Sequence, residues 1–391
     1  METEHYLDQA ATTKPSDAAL LALNKAAWGN PSSAHGIGRK AAGELKDARI
    51  AVGKTFGLSR LSKDRIFFTS CGTESNNIAL LGTAAAKKRD PARPGTILIS
   101  AGEHPSVENP ARVLEKQGYR VVRIPTAGGT LDLAFLEEAL GSADSPVIFA
   151  GFMLANNETG AVYDVKSAAA LVKRSFPDAT VHCDAVQAYL KRKFTPLSLG
   201  VDTMTVSAHK IHAVRGAGAL YVSENVIRRK NLVPVMPGGG QEEGFRSGTE
   251  NLPAIASFAA AAEEGFAALA ENEAKVRALR ERLDRGLAEL GLSVNRPAGE
   301  FLPGLASIRL PRIRSETMLN YLSGRGVYVS AGSACSAAAK KKSEALLAFG
   351  LSENEADSVI RASFDATNGE DDIDALLEGL KDGIASLQRK K

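Results

Sequence analysis

Five short β-like runs in this chain end in, or are followed by, polar residues of types that do chemistry. "RIFFTS" (65–70) leads into Cys71-Gly72-Thr73-Glu74, which opens a helical stretch. "TILIS" (96–100) is followed by Glu103-His104, and "PVIFAGFML" (146–154) by Asn156-Asn157-Glu158. Asp184 and Gln187 lie at the end of "TVHCDA", and Ser207, His209 and Lys210 at the end of "DTMTVSA". A helix start with hydroxyls beside it holds phosphate, which Thr73 and Ser207 suit. A carboxylate keeps a pyridine nitrogen protonated, a lysine forms a Schiff base with an aldehyde and moves a Cα proton, and an imidazole stacks on a ring. The group that uses all four is pyridoxal 5′-phosphate. Taken singly, each residue has an ordinary reading. Gly-Thr is an N-cap, Asn156-Asn157 a turn, Asp184 a helix cap, Lys210 a solvated lysine and Cys183 core packing. Convergence on one rim is what points to the cofactor.

The elements that must position these residues follow from the hydrophobic period. With "YRVVRIP" (119–125) and "GALYVS" (218–223) there are seven β-runs. Helical stretches at 75–88, 106–117, 133–140 and 165–176 alternate with them, which predicts an α/β fold with a mostly parallel sheet between helices. In such sheets ligands sit beyond the carboxyl ends of the strands, where the polar residues fall. Past Asn251 the alternation fades into an Ala/Glu/Arg-rich stretch at 254–290, read as one or two helices. "LASIRLP", a helix near 316–323, "GVYVS" and C-terminal helices from Asn354 follow. The 391 residues therefore divide into a large α/β domain over 14–257 and a smaller α+β domain from 1–13 and 258–391.

Composition narrows the class. A net charge of +3 without a basic stripe argues against direct nucleic-acid binding. The three cysteines, Cys71, Cys183 and Cys335, form neither a disulfide framework nor a zinc pattern. No secretory leader is evident and no apolar run approaches a membrane span, so a cytoplasmic protein without membrane attachment is expected. Cys335 itself sits in "VSAGSACS", among residues too small to pack it, beside the basic run at 340–342. Basic neighbours favour a thiolate, although such a run is also an ordinary solvated feature.

The ordered set "YLDQAATT", "GNPSSAHGIGR", "FTSCGTESNN", "EHPSV", "NNETG", "HCDAVQA", "SAHKI", "PGGGQEEGFRSGTEN" and "SAGSAC" resembles the cysteine desulfurases. These are class V members of the fold-type-I pyridoxal-phosphate transferases, and the likeness runs from Tyr6 to about Phe364. The Cys335 segment resembles the subgroup with a long cysteine loop. The resemblance implies Lys210 as the Schiff-base lysine, Asp184 against the pyridine nitrogen, and His104 stacked on the ring and assisting proton transfer. Gln187 would bond the cofactor's phenolic oxygen, and Thr73, Ser207 and His209 its phosphate. Thr249 would reach that phosphate from the second subunit of a homodimer, while Asn157 and Arg361 would bind the substrate carboxylate. Cys335 would take sulfur from L-cysteine as a persulfide, leaving alanine, and pass it to an iron–sulfur scaffold or a tRNA-thiolation protein.

Three departures stand out. "IHAVRG" replaces a Gly-Pro turn after Lys210, which is expected to loosen that turn. The stretch between Thr13 and Gly29 is short, and "SFD" follows Arg361 in place of the usual ending. Two other readings compete: a class V aminotransferase or selenocysteine lyase in which Cys335 is dispensable, and a site-degenerate relative kept as a scaffold subunit.

Overall fold

A computed structural model of the chain describes residues 4–59, 62–88, 94–331 and 342–387. The seven expected runs form strands β2 (Arg65–Thr69), β3 (Thr96–Ser100), β4 (Arg120–Ile124), β5 (Val147–Met153), β6 (Thr180–Asp184), β7 (Thr203–Ser207) and β8 (Gly218–Val222). β1 is the short strand His5–Tyr6. The seven pair in the order β2-β8-β7-β6-β5-β3-β4. Only β8 runs antiparallel, against both β2 and β7, so the sheet is mostly parallel as expected. Successive side chains point to opposite faces of a strand. Phe68, Leu98, Phe152, Cys183 and Met204 accordingly pack in one core, while Phe67, Ile97, Ile99 and Phe149 pack in another. Burial on both faces is why these strands read as unbroken apolar runs.

The Ala/Glu/Arg-rich stretch is two helices, Leu252–Ala267 and Leu269–Glu289, which meet at a 73° bend. Phe258, Ala259, Ala261 and Ala262 of the first still pack in the large core, whereas Leu279, Leu283 and Leu287 of the second belong to another. That other core also takes in Leu7, Ile308, Met318, Leu322, Ile360, Leu376 and Leu380. It is built on a three-stranded antiparallel sheet of β9 (Ser293–Val294), β10 (Leu305–Arg309) and β12 (Val359–Ser363), and the short β11 (Val327–Tyr328) pairs in parallel with β1. The C-terminal helices expected from Asn354 are present, with a strand between them that the sequence did not show. Glu353–Ala356 and Glu370–Leu387 are helical, but the residues between them include β12, which pairs along its full length with β10. Among the described residues, no single helix is long and apolar enough to cross a membrane.

Candidate active site

The carboxyl ends of β2, β3, β5, β6 and β7 share one rim, and the expected residues gather there. Beyond β2 the helix Gly72–Lys87 begins with Cys71 as N-cap, which offers no side-chain capping bond. A Cβ at Gly72 would press on Val186 Cγ2 at 3.0 Å and touch Ser207 Cβ at 3.6 Å, so glycine lets this helix start sit close against the segment after β6. The Ser207 hydroxyl is buried beside it without a hydrogen-bond partner among the described residues. A bare helix N-terminus, an exposed Thr73 and an orphaned buried hydroxyl together fit a phosphate.

Asp184 ends β6 and is buried. Its Oδ1 accepts the Val186 N–H at 3.0 Å and its Oδ2 accepts Asn76 Nδ2–H at 2.7 Å. Asn76 also contacts the Ser106 hydroxyl at 2.8 Å and His182 Nε2 at 3.0 Å, and His182 Nδ1 meets the Thr203 hydroxyl at 2.9 Å. Ser106 in turn lies 2.8 Å from His104 Nδ1. His104 caps the helix Pro105–Lys116, where its Nδ1 also accepts the Ser106 N–H at 3.2 Å. Burial lowers the proton affinity of His104, Asp184 opposes this, and Lys210 adds to it. Burial alone pushes His182 down to about 3. Sequence reasoning missed Asn76, Ser106, His182 and Thr203. The available signal was His182 two residues before Asp184, on the same face of β6.

Lys210 follows β7 in a single 3₁₀ turn, and its Nζ donates to the Ala10 and Ala11 carbonyls at 2.6 and 2.7 Å. Gln187 Nε2 donates to the same Ala10 oxygen at 2.9 Å, while Lys191 Nζ donates to Gln187 Oε1 at 3.3 Å. Because an ammonium can only donate, Lys191 fixes the amide with its NH₂ toward Ala10. His209 Nδ1 lies 3.2 Å from the Thr12 hydroxyl, and burial, reinforced by Lys210, pushes its imidazole down to about 4. The turn after Lys210 is not loose. His212 adopts φ 67° and is held by its own N–H to Thr13 Oγ1 at 2.7 Å. Its Nε2 lies 3.0 Å from Asp365 Oδ2. The N-terminal segment thus braces the turn in place of Gly-Pro.

The Asn pair after β5 divides its labour. Asn156 Oδ1 accepts the Glu158 and Thr159 N–H groups, both at 2.9 Å, which is turn chemistry. The Asn157 carbonyl accepts Arg361 Nη1 at 2.9 Å, and Arg361 Nη2 pairs with Asp8 at 2.7 Å. Arg361 is 3% exposed, and its Nε is buried without a partner among the described residues. An unpaired buried cationic donor is costly unless an anion meets it, which suits a substrate carboxylate. Cys335 lies outside the described residues, as do Lys340 and Lys341; Lys342 pairs with Glu353. The described flanks attach beside Arg361 and Asn157. Ser330 exchanges backbone bonds with Arg361 at 3.0 and 2.7 Å, and Ser343 donates to Glu158 at 2.5 Å. Thr249 is exposed, in a segment anchored by Arg246 on Glu74 at 2.7 Å and Glu242 on Arg49 at 2.7 Å.

Comparison with known proteins identifies the family. Residues 5–376 match the family model described as aminotransferase class-V. The chain belongs to that family, among the cysteine desulfurases. Cysteine desulfurase IscS 1 of Archaeoglobus fulgidus is 36% identical over 389 residues, covering 98% of this chain and 97% of that protein. Cysteine desulfurase NifS of Azotobacter vinelandii is 33% identical over 391 residues, covering 98% and 93%. A solved NifS-like protein superposes with a TM-score of 0.88 at 34% identity, over 98% of this desulfurase-family chain and 100% of its own.

Proposed function

We propose that the chain is a pyridoxal-phosphate-dependent cysteine desulfurase that converts L-cysteine to L-alanine and leaves the sulfur as a persulfide on Cys335. The observation that carries this is the rim itself. A glycine-opened helix start faces an orphaned Ser207 hydroxyl, beside a carboxylate, an imidazole and a lysine. Thr73, Ser207 and His209 would hold the phosphate, Asp184 the pyridine nitrogen, and Gln187 the phenolic oxygen through the NH₂ that Lys191 fixes. The cofactor supplies, when bound, an electron sink for charge left at the substrate Cα. Lys210 carries the cofactor covalently and moves the Cα proton, and His104 packs on the ring. Arg361 and Asn157 hold the substrate carboxylate, next to the points where both flanks of the Cys335 segment attach. The Cys335 thiolate attacks the substrate sulfur, forming the S–S bond as the C–S bond breaks.

Several parts of the reading concern assembly and setting. The enzyme works as a homodimer in which Thr249 completes the partner's phosphate site; exposure of Thr249 and of Trp28 at 84% supports this. The sulfur acceptor is an iron–sulfur scaffold or a tRNA-thiolation protein, and the setting is the cytoplasm. The large unit takes in residues 14–257, with Phe258, Ala259, Ala261 and Ala262 also packed in its core. The small unit comprises 1–13 and the chain beyond. The test is incubation with L-cysteine and an acceptor thiol. Alanine and sulfide should appear in equal amounts, and Lys210→Ala should lose the borohydride-reducible link to the cofactor. A keto acid in place of alanine, or turnover with selenocysteine alone, would overturn the proposal.

A further inference from the structure

The hydrogen bonds around Asn76 have only one consistent set of directions. Asp184 uses both carboxylate oxygens as acceptors, one of them toward the Val186 N–H. The atom of Asn76 that faces Asp184 Oδ2 at 2.7 Å must therefore be a donor, which is Nδ2. The reverse amide orientation would set two acceptors against each other. The same Nδ2 spends its second hydrogen on Ser106 Oγ at 2.8 Å. Oδ1 then faces His182, so His182 carries its proton on Nε2 and accepts at Nδ1 from the Thr203 hydroxyl. The Ser106 hydroxyl lies 2.8 Å from His104 Nδ1, and it donates there because Nδ1 is already an acceptor. The Ser106 backbone N–H, which can only donate, aims at the same nitrogen.

We infer that Asn76 and Ser106 are positioning residues that lock His104 as a neutral imidazole with its proton on Nε2. The lone pair at Nδ1 is engaged by two donors, so forming the imidazolium would expel both from a buried site. His104 therefore offers the reaction a fixed ring face and an Nε2–H donor, and proton transfer at Cα falls to Lys210. Burial of His104 acts in the same direction. The same Asn76 amide sets the orientation of Asp184, so one side chain aligns the carboxylate and the imidazole together. This rests on the proposed function only for what the two groups do; the proton's position follows from the hydrogen bonds alone.

The experiment is nitrogen-15 NMR of the full-length holoenzyme with labelled histidine, with His104→Gln identifying the His104 signals among the six histidines. His104 Nδ1 should resonate as an unprotonated, hydrogen-bonded nitrogen, and Nε2 should show a directly bonded proton. Asn76→Asp keeps the size and the acceptor for His182 but removes both N–H donors, so the Ser106 hydroxyl should turn to the new carboxylate. Nδ1 should then shift part of the way toward the value of an unbonded nitrogen, since the Ser106 N–H still reaches it. Ser106→Ala should move it in the same direction, and Ser106→Thr should restore it. A proton on Nδ1 in the unmodified protein, or an Nδ1 signal unchanged in both Asn76→Asp and Ser106→Ala, would overturn the inference. Visible cofactor absorbance is recorded on the same samples. Its absence with the expected tautomer would sink the proposed function and leave this inference standing.

Discussion

Arg361→Lys separates a substrate-binding arginine from one that only holds the fold. In the structure Arg361 Nη1 and Nη2 are committed to the Asn157 carbonyl and Asp8, at 2.9 and 2.7 Å, and the buried Nε has no partner among the described residues. A lysine keeps the charge but is a single point, so it can serve Asp8 or the substrate, not the whole fork. Losing one charge-assisted bond to the substrate carboxylate costs about 1.5–3 kcal/mol. That is roughly a ten- to hundredfold fall in kcat/KM. The carboxylate keeps its charge throughout the reaction, so the loss should sit in KM, with kcat changed less than about threefold. The assay is initial-rate alanine formation against L-cysteine concentration. Cysteamine, which lacks the carboxylate, provides the control: its reaction with the enzyme should be equally fast in both proteins. An unchanged KM for L-cysteine, or an equal loss with cysteamine, would refute the assignment and leave Arg361 a structural residue.

Two further outcomes follow from the same geometry. Glu103 is buried below His104, where burial and then Asp184 push its carboxyl up to about 8 while the Ser100 hydroxyl and the Met153 N–H hold one oxygen. The folded state thus binds a proton that the unfolded chain releases, and stability drains away as pH rises from the ordinary glutamate range through about 8. Glu103→Gln should melt close to the unmodified protein near pH 4 and increasingly above it as pH rises to 9; equal melting temperatures at both would place the charge elsewhere. Thr249→Val should weaken cofactor retention on dialysis while sedimentation still finds a dimer, and a monomer that retains the cofactor fully would contradict a shared site.

The large sheet was legible in the sequence because all its strands but the edge strand β4 are buried almost throughout, which leaves short apolar runs that local pattern reveals. Strand β12 was not. Its residues "VIRAS" include an arginine and follow the capped helical turn Glu353–Ala356, and what makes them a strand is pairing with β10, some fifty residues earlier in the chain. The rim residues were legible for the same reason as the strands: Asp184, Ser207 and Lys210 sit at run ends. The supporting network was not legible. Asn76 lies inside a helix and His182 inside a strand, and the contact between them spans 106 positions. The brace on the turn after Lys210 was hidden likewise. His212 reads as an ordinary loop histidine until Thr13 and Asp365 are brought to it from the two ends of the chain. Positive φ at His212 and at Leu190, neither a glycine, left no local signature either.

The central claim is that sulfur leaves L-cysteine on Cys335, and the most direct measurement is single-turnover alanine release by Cys335→Ala. On the proposed reading, binding of L-cysteine and removal of its Cα proton need Lys210, Asp184 and the Arg361–Asn157 anchor, but not the Cys335 thiol. The variant should therefore still bind L-cysteine and alter the cofactor spectrum. It should release alanine several powers of ten more slowly than the unmodified enzyme, each power corresponding to about 1.4 kcal/mol of barrier, and retain no labelled sulfur. Alanine release at near the unmodified rate would contradict the account and favour a class V enzyme that does not use Cys335.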